Sequence, residues 1–135
     1  MSIHKRNKRV FIVEDDPMSM EILHGLILDI DPDAEIDWSK SAEGALDLIE
    51  EDKNAGRDYD LIIADIFLSE KETGLDLWKR CLEKFNGIPL VITSALPLHQ
   101  YFSTVGQEIH APTFLAKPYQ LNECRALLEG LLGTA

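Results

Sequence analysis

The chain has 135 residues, of which 24 are Asp or Glu and 13 Lys or Arg, a formal charge of −11 with histidines neutral. That is one domain's length, and 45% hydrophobic against 27% charged residues is a core-forming composition, not that of a disordered chain. Four of the basic residues, Lys5, Arg6, Lys8 and Arg9, fall in the first nine positions, leaving 9 basic against 24 acidic side chains in the body. Such a body repels phosphate backbones, so nucleic-acid binding is disfavoured, and the basic arm reads as a solubilising lead into the first strand.

The apolar run Val10 to Val13 meets three acids after four residues. It is too short for a signal-peptide core or a membrane span, and a cytoplasmic protein without membrane contact is expected. Cys81 and Cys124 lie in apolar helical patterns with no C-x-x-C pairing and no histidine at metal spacing. Both read as buried thiols of a reducing compartment.

In chain order, the candidate strands are Val10 to Val13, Glu35 to Trp38, Leu61 to Ala64, Leu90 to Ile92 and Thr113 to Ala116. Four are apolar almost throughout, as in a parallel sheet covered on both faces; Glu35-Ile36-Asp37-Trp38 alternates polar with apolar and is expected at an edge. Between and after them, apolar residues recur every three or four positions: Ile22 to Ile30, Ala42 to Ile49, Leu75 to Phe85, Leu98 to Val105 and Leu121 to Leu131. Asp31-Pro32, Asn86-Gly87 and Gly133 supply helix stops. The pattern predicts one α/β domain over residues 1 to 135: a doubly wound five-stranded parallel sheet with five helices, of flavodoxin-like order 2-1-3-4-5 in preference to a Rossmann-like relative.

In such a sheet ligands collect beyond the carboxyl ends of the strands. Those ends carry Glu14-Asp15-Asp16, Asp65, Thr93-Ser94 and Lys117-Pro118. Asp16 before Pro17 reads as a helix N-cap, which leaves Glu14 and Asp15 facing the crevice. Crowded carboxylates call for a cation: a hard divalent ion such as Mg²⁺, or a structural salt bridge to Lys117. Lys117 is either a surface lysine or a point-charge contact for an anion, and strand alternation lets only one of Thr93 and Ser94 point into the site.

The segments Val10-Phe11-Ile12-Val13-Glu14-Asp15-Asp16-Pro17, Asp60-Leu61-Ile62-Ile63-Ala64-Asp65-Ile66, Ile88-Pro89-Leu90-Val91-Ile92-Thr93-Ser94-Ala95 and Phe114-Leu115-Ala116-Lys117-Pro118-Tyr119 together resemble the receiver domain of bacterial two-component response regulators, in order and spacing over about residues 9 to 132. The resemblance implies that Asp65 accepts a phosphoryl group from a phosphohistidine on a histidine kinase or histidine phosphotransfer protein. It implies that Asp15 holds Mg²⁺ directly and Glu14 through water, with Asp65 and the Phe67 carbonyl completing the protein ligands. Ser94 matches the switch hydroxyl better than Thr93, Lys117 the phosphate-contacting lysine and Phe114 the switch aromatic. On phosphorylation Ser94 and Phe114 would remodel the face of the fourth helix, fifth strand and fifth helix, with Tyr101, Phe102 and Tyr119 available as a partner surface.

The chain departs from the family's pattern after Asp65. Ser69 stands at a position that is usually proline, and Gly74 is one residue late, so the charged loop Leu68 to Thr73 is expected to differ in shape. The resemblance places Phe67 and Leu96 beside the phosphoryl position, where neither side chain offers an attacking water a hydrogen bond, and so implies a long-lived phosphorylated state. Three rival readings bear on function. A flavin or nucleotide binder would need amides or hydroxyls where the acids stand, and no G-x-G-x-x-G or Walker sequence occurs. An aspartyl-nucleophile phosphatase would need a second acid where Phe67 is, so the protein is expected to be no enzyme beyond its own phosphorylation and dephosphorylation. The alternative is a pseudo-receiver, a phosphate-independent adaptor. Only Gly133, Thr134 and Ala135 follow Leu132, so output is expected through a downstream protein target, from a monomer or weak dimer.

Overall fold

The computed structural model describes residues 7–65, 79–80, 88–95 and 113–133. Five strands, β1 (Arg9–Val13), β2 (Glu35–Ser39), β3 (Leu61–Asp65), β4 (Leu90–Ser94) and β5 (Thr113–Ala116), form one parallel sheet in the order β2-β1-β3-β4-β5. Each strand sits where a run of β-branched and apolar residues predicts one, extended by up to two residues at an end because the ladder continues past the apolar run into Asp65 and Ser94. The predicted order is the observed one, and the alternating segment β2 is an edge strand.

The described residues include three helices of more than one turn: α1 (Pro17–Ile30), α2 (Ala42–Asn54) and α3 (Leu121–Leu132). The predicted helices around Leu75 to Phe85 and Leu98 to Val105 lie largely or wholly outside the described residues, as does Cys81. Helix α1 starts at Asp16, whose side chain accepts from the Met18 N–H, with Pro17 at the first helical position. It stops at Asp31, where Pro32 ends the helical path. Helix α3 ends at Gly133, whose φ of 65° is left-handed and suits a residue without Cβ.

Alternation along the strands divides the core between the two faces. Phe11, Val13, Ile62, Ala64 and Ile92 pack under α2 with Ala45, Leu46 and Ile49. Val10, Ile12, Leu61, Ile63 and Val91 pack under α1 and α3 with Leu23, Ile27, Cys124 and Leu128. Cys124 is buried as expected, and that burial pushes its thiol up to about 11. Strands β1, β3 and β4 are buried throughout, so the strand ends that carry the polar residues are fixed by apolar packing below them.

At the opposite rim the structure revises the reading of the basic arm, because Arg9 is the first residue of β1 and is 5% exposed. Its Nη2 lies 2.5 Å from Asp52 and 3.4 Å from Asp37, and its guanidinium sits 4.2 Å from the Tyr59 ring centroid. The Tyr59 hydroxyl lies 2.5 Å from Asp37 and 2.9 Å from Asp52 and shares its one proton between the two acids. The main chain of Arg9 is bound to Asp60 in both directions at 2.8 Å, which locks the strand start and aims the side chain beneath α2.

Removing one partner of such a network leaves charges without their counterpart, so Arg9→Ala is expected to cost about 3 kcal/mol of stability in urea unfolding, and Arg9→Met less. The bond from Arg9 holds the Asp52 carboxyl below its ordinary value. Its stabilisation is therefore present above about pH 4 and lost as pH falls through the lower folded value. Asp52→Asn is expected to flatten the acid limb of the stability curve below about pH 4, measured by urea midpoints across pH.

Candidate functional site

The winding reverses between β1 and β3, which opens a crevice above their carboxyl ends. β1 delivers Glu14 and Asp15 to this crevice and β3 delivers Asp65; one carboxylate oxygen from each lies within 4.8 Å of the other two. Their burial is graded: Glu14 is 1% exposed, Asp65 is 9% exposed, and Asp15 faces solvent. From the end of β5, Lys117 reaches across with its Nζ 2.7 Å from Asp65 Oδ2 and donates a second hydrogen bond to Glu14 Oε1.

Glu14 is fully engaged. Its Oε2 accepts the amides of Asp15 at 3.0 Å and Asp16 at 3.4 Å, while Oε1 takes the Lys117 ammonium. Burial pushes the Glu14 carboxyl up; Lys117 pulls it down and the Asp65 charge pushes it up again, with a net upward displacement. For Lys117, burial works against the charge, but the bonds to Asp65 and Glu14 outweigh it and hold the ammonium above its ordinary value. The lysine is thus a fixed cation of the rim, not the loose surface residue that was one of its two readings.

Asp16 is not one of the grouped acids and takes the capping role read from the sequence: it accepts the Met18 amide at 3.2 Å and the Ser19 hydroxyl at 3.0 Å. Thr93 and Ser94 are both buried, at 1% and 0% exposed, and alternation sends them to opposite faces. Thr93 pairs in register with Asp65 and shares the face of Val91, toward α1 and α3. Ser94 shares the face of Ile92, and its carbonyl accepts the Lys117 amide at 2.7 Å. Phe114 lies opposite Ile92 on β5, half-buried against the α2-side core, so Ser94 and Phe114 occupy one face.

Tyr119, one of the residues offered for a partner surface, is half-buried and packs against the core cluster that α1 and α3 share. Its hydroxyl is buried, and that burial pushes the phenol up to about 12. Phe67, Leu96, the loop 68–73, Tyr101 and Phe102 lie outside the described residues. Sequence reasoning missed Trp38, whose indole N–H donates to the Glu14 carbonyl at 2.9 Å. Its place at the end of an edge strand was the available signal, but periodicity treats it only as one apolar position in an alternating strand.

A five-stranded parallel sheet in this order, with acids and a lysine at its carboxyl rim, belongs to the flavodoxin-like class of doubly wound α/β domains. Within that class the family model for the response regulator receiver domain matches residues 10–129. The chain belongs to that family, the receiver domains of two-component signal transduction. It is 31% identical over 112 residues to the sensory transduction protein LytR of Staphylococcus saprophyticus, covering 83% of this chain and 41% of that protein. The chain spans about two fifths of the length of the LytR relatives it matches. Among solved structures, the phosphorylated cyanobacterial phytochrome response regulator RcpA is 17% identical with a TM-score of 0.78, over 96% of this chain and 97% of that one. The signal receiver domain of an HD domain-containing protein from Pseudomonas fluorescens is 19% identical with a TM-score of 0.78, over 98% and 92% of the two chains. These likenesses show a shared fold. No helix among the described residues is long and apolar enough to cross a membrane.

Because Asp16 caps α1 and stands outside the acid cluster, Asp16→Ala is expected to lower the urea midpoint and the melting temperature, as the loss of an N-cap does. Asp16→Asn, which keeps an acceptor, is expected to retain most of both; thermal or urea unfolding of the two variants checks this.

Proposed function

We propose that this chain is a phosphoacceptor receiver in which Asp65 takes a phosphoryl group from a phosphohistidine of a histidine kinase or histidine phosphotransfer protein. The observation that carries the reading is the convergence of Glu14, Asp15 and Asp65 with Lys117 on one strand-end rim. With all four groups ionised, three carboxylates against one ammonium leave a charge that a divalent cation balances. The donor set is all oxygen, which suits Mg²⁺. Asp15 would hold the ion directly, with Asp65 and the Phe67 carbonyl, while Glu14, its oxygens already engaged, would act through water. The ion supplies charge neutralisation for an incoming phosphoryl group.

The chain's own groups supply the rest. In the transfer an Asp65 carboxylate oxygen forms the new O–P bond as the N–P bond of the phosphohistidine breaks, its electron pair staying on the imidazole nitrogen. β3 holds the Asp65 backbone rigid between β1 and β4, so the nucleophile is positioned without loop ordering. Lys117, 2.7 Å from Asp65, would exchange that carboxylate contact for a phosphoryl oxygen. Ser94 and Phe114, sharing one face of β4 and β5, would carry the change in charge toward a downstream protein target.

Mass spectrometry after incubation with a small phosphodonor and Mg²⁺ tests the reading. The wild type is expected to gain one phosphoryl mass and folded Asp65→Asn none. A wild type that stays unmodified would make the chain a phosphate-independent adaptor instead, and a phosphorylated Asp65→Asn would move the acceptor elsewhere. On the family resemblance, which puts Phe67 and Leu96 beside the phosphoryl position with no hydrogen bond to offer water, phosphate loss from the wild type is expected to be at least about threefold slower than from Phe67→Asn, followed in Mg²⁺ without a partner.

A further inference from the structure

The acidic turn leaves β1 at Glu14, one residue past the strand, and β2 holds that residue from both sides of its main chain. The Glu14 N–H donates to the Ser39 carbonyl at 3.0 Å, which continues the ladder, and the Glu14 carbonyl accepts the Trp38 indole N–H at 2.9 Å. The first bond is ordinary sheet pairing. The second is a side-chain bond that another residue type at position 38 would not supply in the same way.

Burial alone does not account for this tryptophan, which is 42% exposed on an edge strand. What its ring offers the turn is chemical. The carbonyl it binds belongs to a turn carrying Glu14, Asp15 and Asp16, where the partial negative charge of an unpaired carbonyl adds to an already negative neighbourhood. An indole is a donor with no acceptor capacity and no net charge. It therefore satisfies that carbonyl without attracting the carboxylates away from the crevice, as a lysine or arginine at the same place would.

The ring itself is held. The Lys40 ammonium lies over it, 5.7 Å from its centroid. The chain after it is locked by Ser39, whose hydroxyl donates to the Ser41 carbonyl at 3.0 Å and accepts the Ser41 amide at 3.2 Å; Ser41 in turn caps α2 by accepting the Gly44 amide at 3.1 Å.

We infer that Trp38 is a positioning residue of the acidic turn, whose indole N–H fixes the Glu14 peptide so that Glu14 and the solvent-facing Asp15 present their carboxylates to a divalent cation together with Asp65. This rests on the metal-assisted phosphoacceptor reading above. Trp38 does not touch the ion or the reacting atoms; it sets the direction of the peptide from which Asp15 departs.

The test uses Trp38→Phe, which keeps an aromatic ring for Lys40 and removes the N–H donor. Mg²⁺ affinity is read by amide NMR titration, and phosphorylation by a small phosphodonor is followed as a function of Mg²⁺ concentration. The expected result is a metal dissociation constant raised about three- to tenfold, the factor that one neutral hydrogen bond is worth. The loss falls on the Mg²⁺ concentration for half-maximal phosphorylation and not on the rate at saturation. A folded Trp38→Phe with unchanged Mg²⁺ affinity overturns the inference, because a merely structural role would lower the melting temperature alone. In the wild type, the Trp38 indole proton is expected to be protected from exchange and to shift on Mg²⁺ addition; a fast-exchanging, unshifted signal overturns the inference even if the variant fails to fold. Failure of the underlying reading looks different: the wild type itself would show no Mg²⁺-dependent phosphorylation.

Discussion

The Lys117 ammonium, held between Glu14 and Asp65, is the interaction on which the carboxyl rim of this domain depends. Two carboxyl groups almost without exposure, delivered by the two neighbouring strands β1 and β3, repel one another in a poorly solvated setting. A cation that reaches them from β5, two strands beyond β3, makes their burial tolerable and ties the far edge of the sheet to its centre. On the phosphoacceptor reading proposed above, the same bond would make the rim responsive. A lysine shared between two acids is committed to neither, and a new anion at Asp65 changes the balance of attractions it answers to.

The amino-terminal rim meets a related problem in a different way. Arg9 there is surrounded by Asp37, Asp52 and the Tyr59 ring, and the Tyr59 hydroxyl shares its one proton between the same two acids. The planar guanidinium divides itself among several partners and stacks on an aromatic face, which suits a permanent structural joint. The point-charge ammonium of Lys117 has a single direction of reach and three rotatable donors, which suits a contact that is to be remade. Between the two rims, the buried strands β1, β3 and β4 carry almost only β-branched and apolar side chains.

Most of the fold was legible because its elements obey one period each. Ile12, Ile63 and Val91 sit in runs that only a doubly covered parallel strand explains, and Ile36 between acids marks an edge. The acid cluster was legible for a topological reason: once five strands run parallel, everything that follows a strand meets at one end. Three features were not. Arg9 looked like part of a basic arm because a charge run carries no sign of which member has a buried partner. Tyr119 looked available to a partner because its packing against the core shared by α1 and α3 is a tertiary contact that periodicity does not show. Trp38 escaped because its function is a hydrogen bond to another strand's main chain, and that acceptor sits 24 residues away with no pattern linking the two.

The sheet also limits where a change at the rim can go. β3 is hydrogen-bonded to β1 and β4, so a charge added at Asp65 cannot be accommodated by moving that strand without breaking ladders on both sides. Among the described residues β5 pairs with β4 alone; it is four residues long, with two exposed positions and one half-buried one. It is the least costly of the neighbouring elements to shift. Lys117 follows β5 directly, Phe114 lies within it, and Ser94 pairs in register with Ala116 of the same strand. On the proposed reading, the cation that would sense the charge directly follows one short edge strand and the aromatic that would report it lies within that strand, three residues earlier, so a pull on Lys117 would be applied to an element held by one ladder among the described residues.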